Sequence, residues 1–292
     1  MTRGHGARGQ GNSGQGARRR RARTDEGSAL PRARKRFGQH FLEPPWVTRL
    51  VDAVQPSPAD TFLEIGPGRG ALTAVLAPRV NSVIAVEIDR DLAAALPARV
   101  PANVQVVEGD FLDIDLARVL GDAPLPIRVI GNLPYNVSSP ILFKLLQAAD
   151  DGRRFQDATL MLQKEVVDRI AASPGSGDYG TLAVQVTLLA DVDRLLTLPP
   201  GAFRPPPKVT SAVVRLVFHP PAVDVDDRQR FERIVRGIFL QRRKTLQNAL
   251  KPVADALGQS AAAMIARAGV DGGKRPEALT VGEIAALTRA VL

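Results

Sequence analysis

The sequence lacks several residue types on which whole classes of protein depend. None of its 292 residues is cysteine, which excludes disulfides, thiolate zinc sites and cysteine nucleophiles. Its three histidines, His5, His40 and His219, are scattered and indicate no metal site. No apolar run approaches the length of a membrane span, and none follows the N-terminal arginines as it would in a secretory signal. We therefore expect a cytoplasmic protein without a metal ion.

The positive charge is concentrated at the N-terminus. The formal net charge is +9, and residues 1–36 alone hold 11 basic and 2 acidic side chains. The other residues balance, with 28 basic and 28 acidic side chains. Residues 1–33 are rich in glycine and arginine and poor in large apolar residues, so we predict a disordered basic tail with weak affinity for polyanions such as RNA.

From Trp46 onward, strand-like segments alternate with helical ones. Five segments have the pattern of buried strands: "TFLEIG", "SVIAVEID", "VQVVEGD", "IRVIGN" and "ATLMLQ". This alternation predicts an α/β, Rossmann-like fold, with helices on both faces of a parallel sheet. Two further strands, "DRLLTLP" and "SAVVRLVFH", flank a proline-rich loop. The pattern then becomes helical, so we predict a main domain over residues 34–222 and a small all-helical domain over residues 223–292.

The first three strands end in residues suited to a nucleoside ligand. Gly66 and Gly68 follow the first strand, where glycines allow a sharp turn and a close approach to a ligand. Glu87 ends the second strand, where a carboxylate can accept hydrogen bonds from ribose hydroxyls. Asp110 follows the third strand and can accept a hydrogen bond from an adenine amino group. Together these residues predict an adenosine-containing cofactor, and NAD and S-adenosylmethionine fit equally well.

The fourth strand is followed by "GNLPY", which places an amide and an aromatic ring at the same edge of the sheet. If a methyl group is transferred to the exocyclic amine of adenine, the side-chain oxygen of Asn132 and the carbonyl of Leu133 can accept the amine hydrogens. Pro134 stiffens this backbone, and the ring of Tyr135 offers a face on which a flipped-out base can stack. A simple turn is the alternative, but the preceding glycine loop and acids favour catalysis.

These stretches resemble the rRNA adenine dimethyltransferase family. The resemblance runs from about Arg34 to the C-terminus and is carried by "GQHFL", "LEIGPGRGALT", "GNLPYNVSSP", "FRPPPKV" and "QRRKTLQNAL". It implies S-adenosylmethionine as the cofactor and adenine N6 in ribosomal RNA as the acceptor. One branch dimethylates two adjacent adenines near the 3′ end of small-subunit rRNA during ribosome maturation, and the last three motifs are similar to that branch. The other branch modifies a large-subunit adenine and confers macrolide-type resistance, and some of its members have similar arginine-rich extensions.

The resemblance also implies roles for individual residues. The family's cofactor contacts fall on His40, Leu42, Gly66, Glu87, Asp110 and Asn132. His40 departs from the family, which usually has asparagine here, although a neutral imidazole can also donate and accept hydrogen bonds. Phe203, in "GAFRPPPKV", matches the position whose ring helps to enclose the target base with Tyr135. Because aromatic residues make up only 4% of the chain, a phenylalanine among prolines favours this role over simple loop anchoring.

Two basic clusters are candidate RNA contacts: Arg34, Lys35 and Arg36, and Arg242, Arg243 and Lys244. The first cluster precedes the cofactor-binding motif, and the second is predicted to lie on a helix. Outside the tail the chain is neutral, which favours phosphate contact over a solvated helix face. We therefore interpret residues 34–222 as the catalytic domain and residues 223–292 as an RNA-recognition domain, in a monomer that acts on the small ribosomal subunit or its precursor.

Three other functions stay open. An NAD oxidoreductase would need a hydride partner, such as a catalytic histidine or a tyrosine–lysine pair, and none is evident near the strand ends. A DNA adenine methyltransferase would need a separate sequence-reading module, which the chain does not show. A ribosome-assembly checkpoint factor that acts mainly by binding would contain the same residues.

Overall fold

A seven-stranded sheet organises the fold, in a computed structural model that describes Met1 and residues 39–150 and 154–291. The strands in chain order are β1 (Phe41–Leu42), β2 (Thr61–Ile65), β3 (Ser82–Glu87), β4 (Val104–Glu108), β5 (Ile127–Asn132), β6 (Phe155–Gln163), β7 (Ala190–Leu198), β8 (Phe203–Arg204) and β9 (Ser211–Phe218). The main sheet has the order β4-β3-β2-β5-β6-β9-β7, and β1 pairs separately with β8. All seven strands expected from the sequence are therefore present in the main sheet.

The helices connect these strands and then form the C-terminal part of the chain. They are α1 (Pro44–Val54), α2 (Ala71–Leu76), α3 (Arg90–Ala95), α4 (Leu116–Leu120), α5 (Ser138–Asp150), α6 (Lys164–Ile170), α7 (Thr181–Leu189), α8 (Arg228–Leu240), α9 (Leu246–Ala256), α10 (Ala261–Ala268) and α11 (Val281–Arg289). Within the described residues, none of these helices is both long enough and apolar enough to cross a membrane.

One strand departs from the predicted parallel arrangement. Strands β2 to β6 pair in parallel, but β9 runs antiparallel to both of its neighbours, β6 and β7. The reason is the connection before β9: a loop without a crossover helix follows β7, and such a loop returns the chain antiparallel to the strand it leaves. The sheet is therefore mixed, and the α/β, Rossmann-like architecture is otherwise as expected.

Helices cover both faces of the sheet, as the apolar strands predict. Alternate side chains of one strand enter different cores: Leu63 and Val129 belong to the cluster that includes α5, α7 and the C-terminal helices, whereas Phe62 and Ile130 belong to the cluster beneath α1 and α2. Strands that are buried on both faces show continuous apolar runs, which is why they were recognisable in the sequence.

The C-terminal helices α8 to α11 form a bundle, and their buried apolar residues belong to the same cluster as Leu63 and Val129. The apolar stripe of α8 is fully buried and consists of Phe231, Ile234, Val235 and Ile238. The start of α8 is capped by Asp227, which accepts a hydrogen bond from the Arg230 backbone, and α11 begins with a reciprocal capping box between Thr280 and Glu283. After β9 the described residues are helical or irregular, and the functional division at residue 222 stays a prediction.

Candidate active site

The residues predicted from the strand ends lie along one edge of the sheet. Gly66 follows β2, Glu87 ends β3, Asp110 follows β4 and Asn132 ends β5. Because these four strands are parallel neighbours, their carboxyl ends meet at the same edge, where α/β folds bind ligands. Two adjoining cavities open there, of about 90 Å³ and about 280 Å³, and both are lined by Gly66, Ile88 and Pro134.

The smaller cavity gathers most of the predicted site. It is lined by nine of the predicted residues: His40, Leu42, Gly66, Gly68, Glu87, Asn132, Leu133, Pro134 and Tyr135. Asp110 lines the larger cavity, whose walls include the side chains of Phe111 and Ile141. The smaller cavity therefore lies beside the end of β5, and the larger one lies beside the end of β4.

The glycine loop after β2 requires residues without a side chain. Gly66 and Gly68 have φ angles of 69° and 59°, in the left-handed region that other residues rarely adopt. A Cβ atom on Gly68 would lie 3.0 Å from Cε1 of Phe41, whereas one on Gly66 would meet nothing within 4 Å. The loop therefore brings bare backbone to the cavity, and the space beside Gly66 is available to a ligand.

Glu87 is held by backbone N–H groups of two loops. Its Oε2 accepts a hydrogen bond from the Gly68 nitrogen at 2.8 Å, and its Oε1 accepts one from the Asp89 nitrogen at 2.8 Å. Burial raises the pKa of Glu87, while these backbone hydrogen bonds lower it in part. Each carboxylate oxygen can accept a second hydrogen bond, so Glu87 can still receive two hydroxyl groups of a ligand.

Asp110 is fixed at the mouth of the larger cavity. Its Oδ1 accepts a hydrogen bond from the Leu112 nitrogen at 2.9 Å. Lys144 of α5 holds the same loop, because its ammonium group donates hydrogen bonds to the carbonyls of Leu112 at 2.9 Å and Ile114 at 2.7 Å. Burial lowers the pKa of Lys144, and the nearby carboxylates of Asp113, Asp110 and Asp115 oppose that shift.

The amide of Asn132 has a defined orientation. Its Nδ2 donates a hydrogen bond of 2.7 Å to the backbone carbonyl of His40. A carbonyl oxygen can only accept, so the NH₂ group must face His40 and the side-chain oxygen is left as an acceptor on the other side. The next residue is also anchored, because the Leu133 nitrogen donates to the Met161 carbonyl at 3.2 Å. The two acceptors predicted for an amine therefore sit on a rigid segment.

The ring of Tyr135 is held from the side and covered from above. Its hydroxyl is 2.5 Å from Oγ of Ser211, a fully buried residue of β9. Burial raises the pKa of Tyr135, and the hydrogen bond with Ser211 opposes that shift. The imidazole of His40 stacks on the ring, with centroids 5.8 Å apart and planes inclined by 23°.

The structure does not place Phe203 in the predicted base-binding position. The ring is fully buried and belongs to the apolar cluster beneath α1, and it lines neither of the two cavities. Its direction follows from the pairing of β1 with β8: Phe203 lies opposite Leu42 and faces the core, while Arg204 is exposed. The Phe203 ring thus lies outside both cavities in this structure, and its contact with the target base stays a prediction.

The second basic cluster is also placed differently from the prediction. Arg242, Arg243 and Lys244 lie in the turn between α8 and α9 rather than on a helix. The chain must reverse there because the two helices pack closely: a Cβ atom on Gly237 would lie 1.9 Å from Cγ2 of Val253. Arg34, Lys35 and Arg36, like the tail at residues 1–33 apart from Met1, lie outside the described residues.

Sequence reasoning missed one acid in the site. Glu64 of β2 is 1% exposed, lines the smaller cavity, and its Oε2 has no hydrogen-bond partner within the described residues. Burial raises its pKa to about 7, Thr73 lowers it in part, and the charge of Glu87 raises it further. The available signal was a charged residue inside the apolar strand "TFLEIG", because an acid in a doubly buried strand needs a reason.

Comparisons with known proteins show which family this chain is similar to. A family model described as ribosomal RNA adenine dimethylase matches residues 31–290. The ribosomal RNA small subunit methyltransferase A of Acinetobacter baylyi is 45% identical over 261 residues, which are 88% of this chain and 92% of that protein. The crystal structure of a dimethyladenosine transferase from Plasmodium falciparum is 26% identical, with a TM-score of 0.70 over 85% of this chain and 96% of that chain.

A second solved structure, the 23S rRNA methyltransferase ErmE, is 27% identical, with a TM-score of 0.61 over 86% of this chain and 99% of that chain. The family match runs from residue 31 to residue 290, so it includes every predicted site residue from His40 onward. The fold and the resemblance expected from the motifs are confirmed. This chain belongs to the ribosomal RNA adenine dimethylase family.

Proposed function

We propose that this chain transfers methyl groups from S-adenosylmethionine to N6 of adenines in small-subunit rRNA, and dimethylates two adjacent adenines near the 3′ end during ribosome maturation. The observation that carries the proposal is the orientation of Asn132. Its NH₂ group donates to the His40 carbonyl, so its oxygen is left as an acceptor in a cavity that Tyr135 also lines. An acceptor next to a flat ring suits an amine on an aromatic base.

The residues at the strand ends fit an S-adenosylmethionine cofactor. Glu87 offers two carboxylate oxygens to ribose hydroxyls, and Asp110 stands at the mouth of a cavity of about 280 Å³ that can take an adenine ring. Gly66 leaves open space for the ligand, and Leu42 and Asn132 line the adjoining compartment. When bound, the cofactor supplies an electrophilic methyl group on its sulfonium.

The chain's own residues hold the acceptor amine. The lone pair of an adenine amine is delocalised into the ring, which makes the amine a poor nucleophile. Its N–H is too weakly acidic to lose a proton before attack, but the nitrogen becomes cationic once it has taken the methyl group and then releases the proton to solvent. Asn132 Oδ1 and the Leu133 carbonyl accept the two amine hydrogens, which favours a pyramidal nitrogen with its lone pair directed out of the ring plane. Tyr135 supports the base, and Pro134 maintains the spacing of amide and ring. These residues act chiefly by alignment, which lowers the entropic part of the barrier.

Recognition of the RNA involves the rest of the chain. The turn that carries Arg242, Arg243 and Lys244 presents three exposed cations, and Arg242 also lies 3.6 Å from Glu277. We assign phosphate contacts to this turn and to Arg34, Lys35 and Arg36, and we assign RNA recognition to residues 223–292 and catalysis to residues 34–222. We also expect a cytoplasmic monomer that meets the small subunit or its precursor.

The direct test supplies the purified protein with labelled S-adenosylmethionine and, separately, with unmethylated small and large ribosomal subunits. Label recovered as dimethyladenosine in small-subunit RNA is the expected result. Label confined to large-subunit RNA would contradict the proposal and favour the activity named for ErmE, the second solved structure. Label in neither RNA, with retained binding to small subunits, would favour a checkpoint factor. The Asn132→Ala variant run in parallel shows that any label depends on this site.

A further inference from the structure

The antiparallel strand β9 begins at the edge of the sheet where the candidate site lies. Strands β2 to β6 end at that edge, whereas β9 runs antiparallel to β6, so its first residue, Ser211, lies opposite Gln163, the last residue of β6. On its other side Ser211 lies opposite Leu198, the last residue of β7. The backbone of Ser211 is therefore held between two strands beside the site.

The side chain of Ser211 is polar at a position where the fold favours an apolar one. It is fully buried, and the next residues of β9 are Ala212 and Val213. A hydroxyl that is buried without a hydrogen bond costs free energy, so alanine would suit the strand at least as well. Among the described residues, the partner given for its Oγ is the hydroxyl of Tyr135, at 2.5 Å. Contact with Tyr135 is therefore the reason for a serine here.

The ring of Tyr135 depends on that contact for its position. Tyr135 lies in the connection between β5 and α5, where Oγ of Ser138 donates a hydrogen bond of 3.1 Å to its backbone carbonyl. That bond holds the main chain but not the ring, which can still swing about the Cα–Cβ bond. Such a swing would carry the hydroxyl away from Ser211 and break the hydrogen bond. The backbone and the far end of the ring are thus held by two different serines.

We propose that Ser211 is a positioning residue for the methyl transfer, because it holds the ring of Tyr135 where that ring supports the target base. The inference rests on the proposed function, and it deepens it by naming a residue that acts on the base only through another side chain. A ring that swings would move the stacked adenine away from the acceptors Asn132 Oδ1 and the Leu133 carbonyl. A displacement of about 1 Å can slow a reaction by about 100-fold.

The first test is a double-mutant cycle of Ser211→Ala and Tyr135→Phe. Single-turnover methylation of unmethylated small subunits at saturating S-adenosylmethionine gives the rate, and steady-state measurements give KM for the subunits. Each single substitution should lower the rate about fivefold to tenfold, as expected for one hydrogen bond, with little change in KM. The double variant should be no slower than the slower single variant, since both remove the same bond. A double variant whose loss is the product of the two single losses would overturn the inference.

The second test is the matched pair Ser211→Thr and Ser211→Val. Both add a similar volume to the buried strand, but only threonine keeps a hydroxyl, so a packing defect would affect both variants alike. Ser211→Val should be at least about fivefold slower than Ser211→Thr. The dissociation constant of S-adenosylhomocysteine should agree within about twofold in the two variants, because Ser211 lines neither cavity. Equal rates of methylation in the two variants would contradict the inference.

Ser82 offers a control at the other edge of the sheet. It is the first residue of β3, and its Oγ is 3.2 Å from Oγ of Thr61, the first residue of β2. Ser82→Ala therefore removes a contact of the same kind between two hydroxyls, and it should leave the rate and KM unchanged. A loss of rate equal to that of Ser211→Ala would assign the effect to the sheet as a whole and overturn the inference.

A binding measurement separates this inference from the proposed function. A short single-stranded RNA that contains 2-aminopurine is titrated with the protein bound to S-adenosylhomocysteine, and stacking on the ring quenches its fluorescence. Quenching that falls in Ser211→Val and persists in Ser211→Thr supports the inference even if the wild type labels no small-subunit RNA, in which case the proposed function alone fails. Normal labelling of small-subunit RNA, with quenching that is equal in the two variants or absent from all proteins, contradicts the inference alone.

Discussion

The two ends of the parallel strands treat buried charge in opposite ways. At the amino ends, Arg128 of β5 donates to Asp157 of β6 at 2.8 Å and to Asp60 at 2.8 Å, and Arg128 and Asp157 are only 6% and 4% exposed. At the carboxyl ends, Glu64 and Glu87 are 1% and 3% exposed, and the hydrogen bonds to the Glu87 carboxylate come from backbone N–H groups. The amino ends of the strands hold buried ion pairs, whereas the carboxyl ends hold buried acids that can accept hydrogen bonds from a ligand.

The pKa shifts express this difference. Burial alone would lower the pKa of Arg128, but the hydrogen bonds and charges of Asp157 and Asp60 raise it overall. Burial raises the pKa of Glu64 to about 7 and also raises that of Glu87. Removing the partner of a buried charge leaves that charge uncompensated, and a buried acid without a cation carries the same kind of cost until a ligand supplies a partner. The comparison therefore separates a structural end of the sheet from a functional one.

The largest effect is expected from removing the buried ion pairs at the amino ends of the strands. Arg128→Met removes the cation paired with Asp60 and leaves Asp157 with only Arg215, at 3.6 Å. It also removes hydrogen bonds to the carbonyls of Val54 and Gln55 at the end of α1. The free energy of unfolding should fall by about 3–5 kcal/mol in urea denaturation. Arg79→Met, which removes an exposed pair with Asp52, is the control and should cost less than about 1 kcal/mol. Equal losses of unfolding free energy in the two variants would show that the buried pairs of Arg128 matter no more than an exposed pair.

At the carboxyl ends of the strands, Asn132→Ala should lower activity and leave the free energy of unfolding nearly unchanged. Without the side-chain acceptor, kcat should fall by about 100-fold to 1,000-fold, the range measured for removing one positioned hydrogen-bond partner of a reacting group. Affinity for S-adenosylhomocysteine should fall only in part. Asn81→Ala, an exposed asparagine before β3, is the control. Single-turnover methylation and calorimetry supply the two numbers, and near-normal turnover in Asn132→Ala would refute the amine-holding role.

Glu64→Gln should raise the free energy of unfolding of the protein, by an amount that depends on pH. Because burial raises the pKa of Glu64 to about 7, the folded state keeps a proton there up to about pH 7, whereas an ordinary glutamate loses it near pH 4.5. The wild type should therefore lose stability as pH rises from 4.5 to about 7, on the order of 3 kcal/mol, and Glu64→Gln should not show this slope. Unfolding is measured at several pH values between 4 and 8.5.

The control for Glu64→Gln is Glu165→Gln. Glu165 has an exposed side chain paired with Arg169, and its replacement should change the free energy of unfolding by less than about 1 kcal/mol. If Glu64→Gln and the wild type have parallel pH profiles, Glu64 is ionised in the free protein and the proposed contrast between the two ends is too strong.

The smallest effect should come from loosening the loop that carries Asp110. Lys144→Met removes the ammonium group that holds the carbonyls of Leu112 and Ile114. KM for S-adenosylmethionine should rise about fivefold, or about 1 kcal/mol, with little change in kcat, because Lys144 acts on the cofactor only through this loop. Lys164→Met, which removes a surface pair with Asp168, should leave KM unchanged. A fall in kcat without a change in KM would contradict a positioning role.

Much of the candidate site was predictable because it depends on local pattern. Apolar runs buried on both faces marked the strands, and the parallel order placed Gly66, Glu87, Asp110 and Asn132 at one edge. The local sequence pattern did not predict where certain side chains lie in the folded protein. The apolar spacing of α8 continues into α9, for instance, so a single helix was the natural expectation for the intervening basic cluster.

The sequence by itself determined the strands, the Rossmann-like class, the family and the set of residues that ends each strand. Only the tertiary structure decided which way several side chains point. Phe203 turns into the core and His40 turns over Tyr135 because β1 pairs with β8, although about 160 residues separate them along the chain. Such directions depend on contacts between distant segments, which no local period of the sequence encodes.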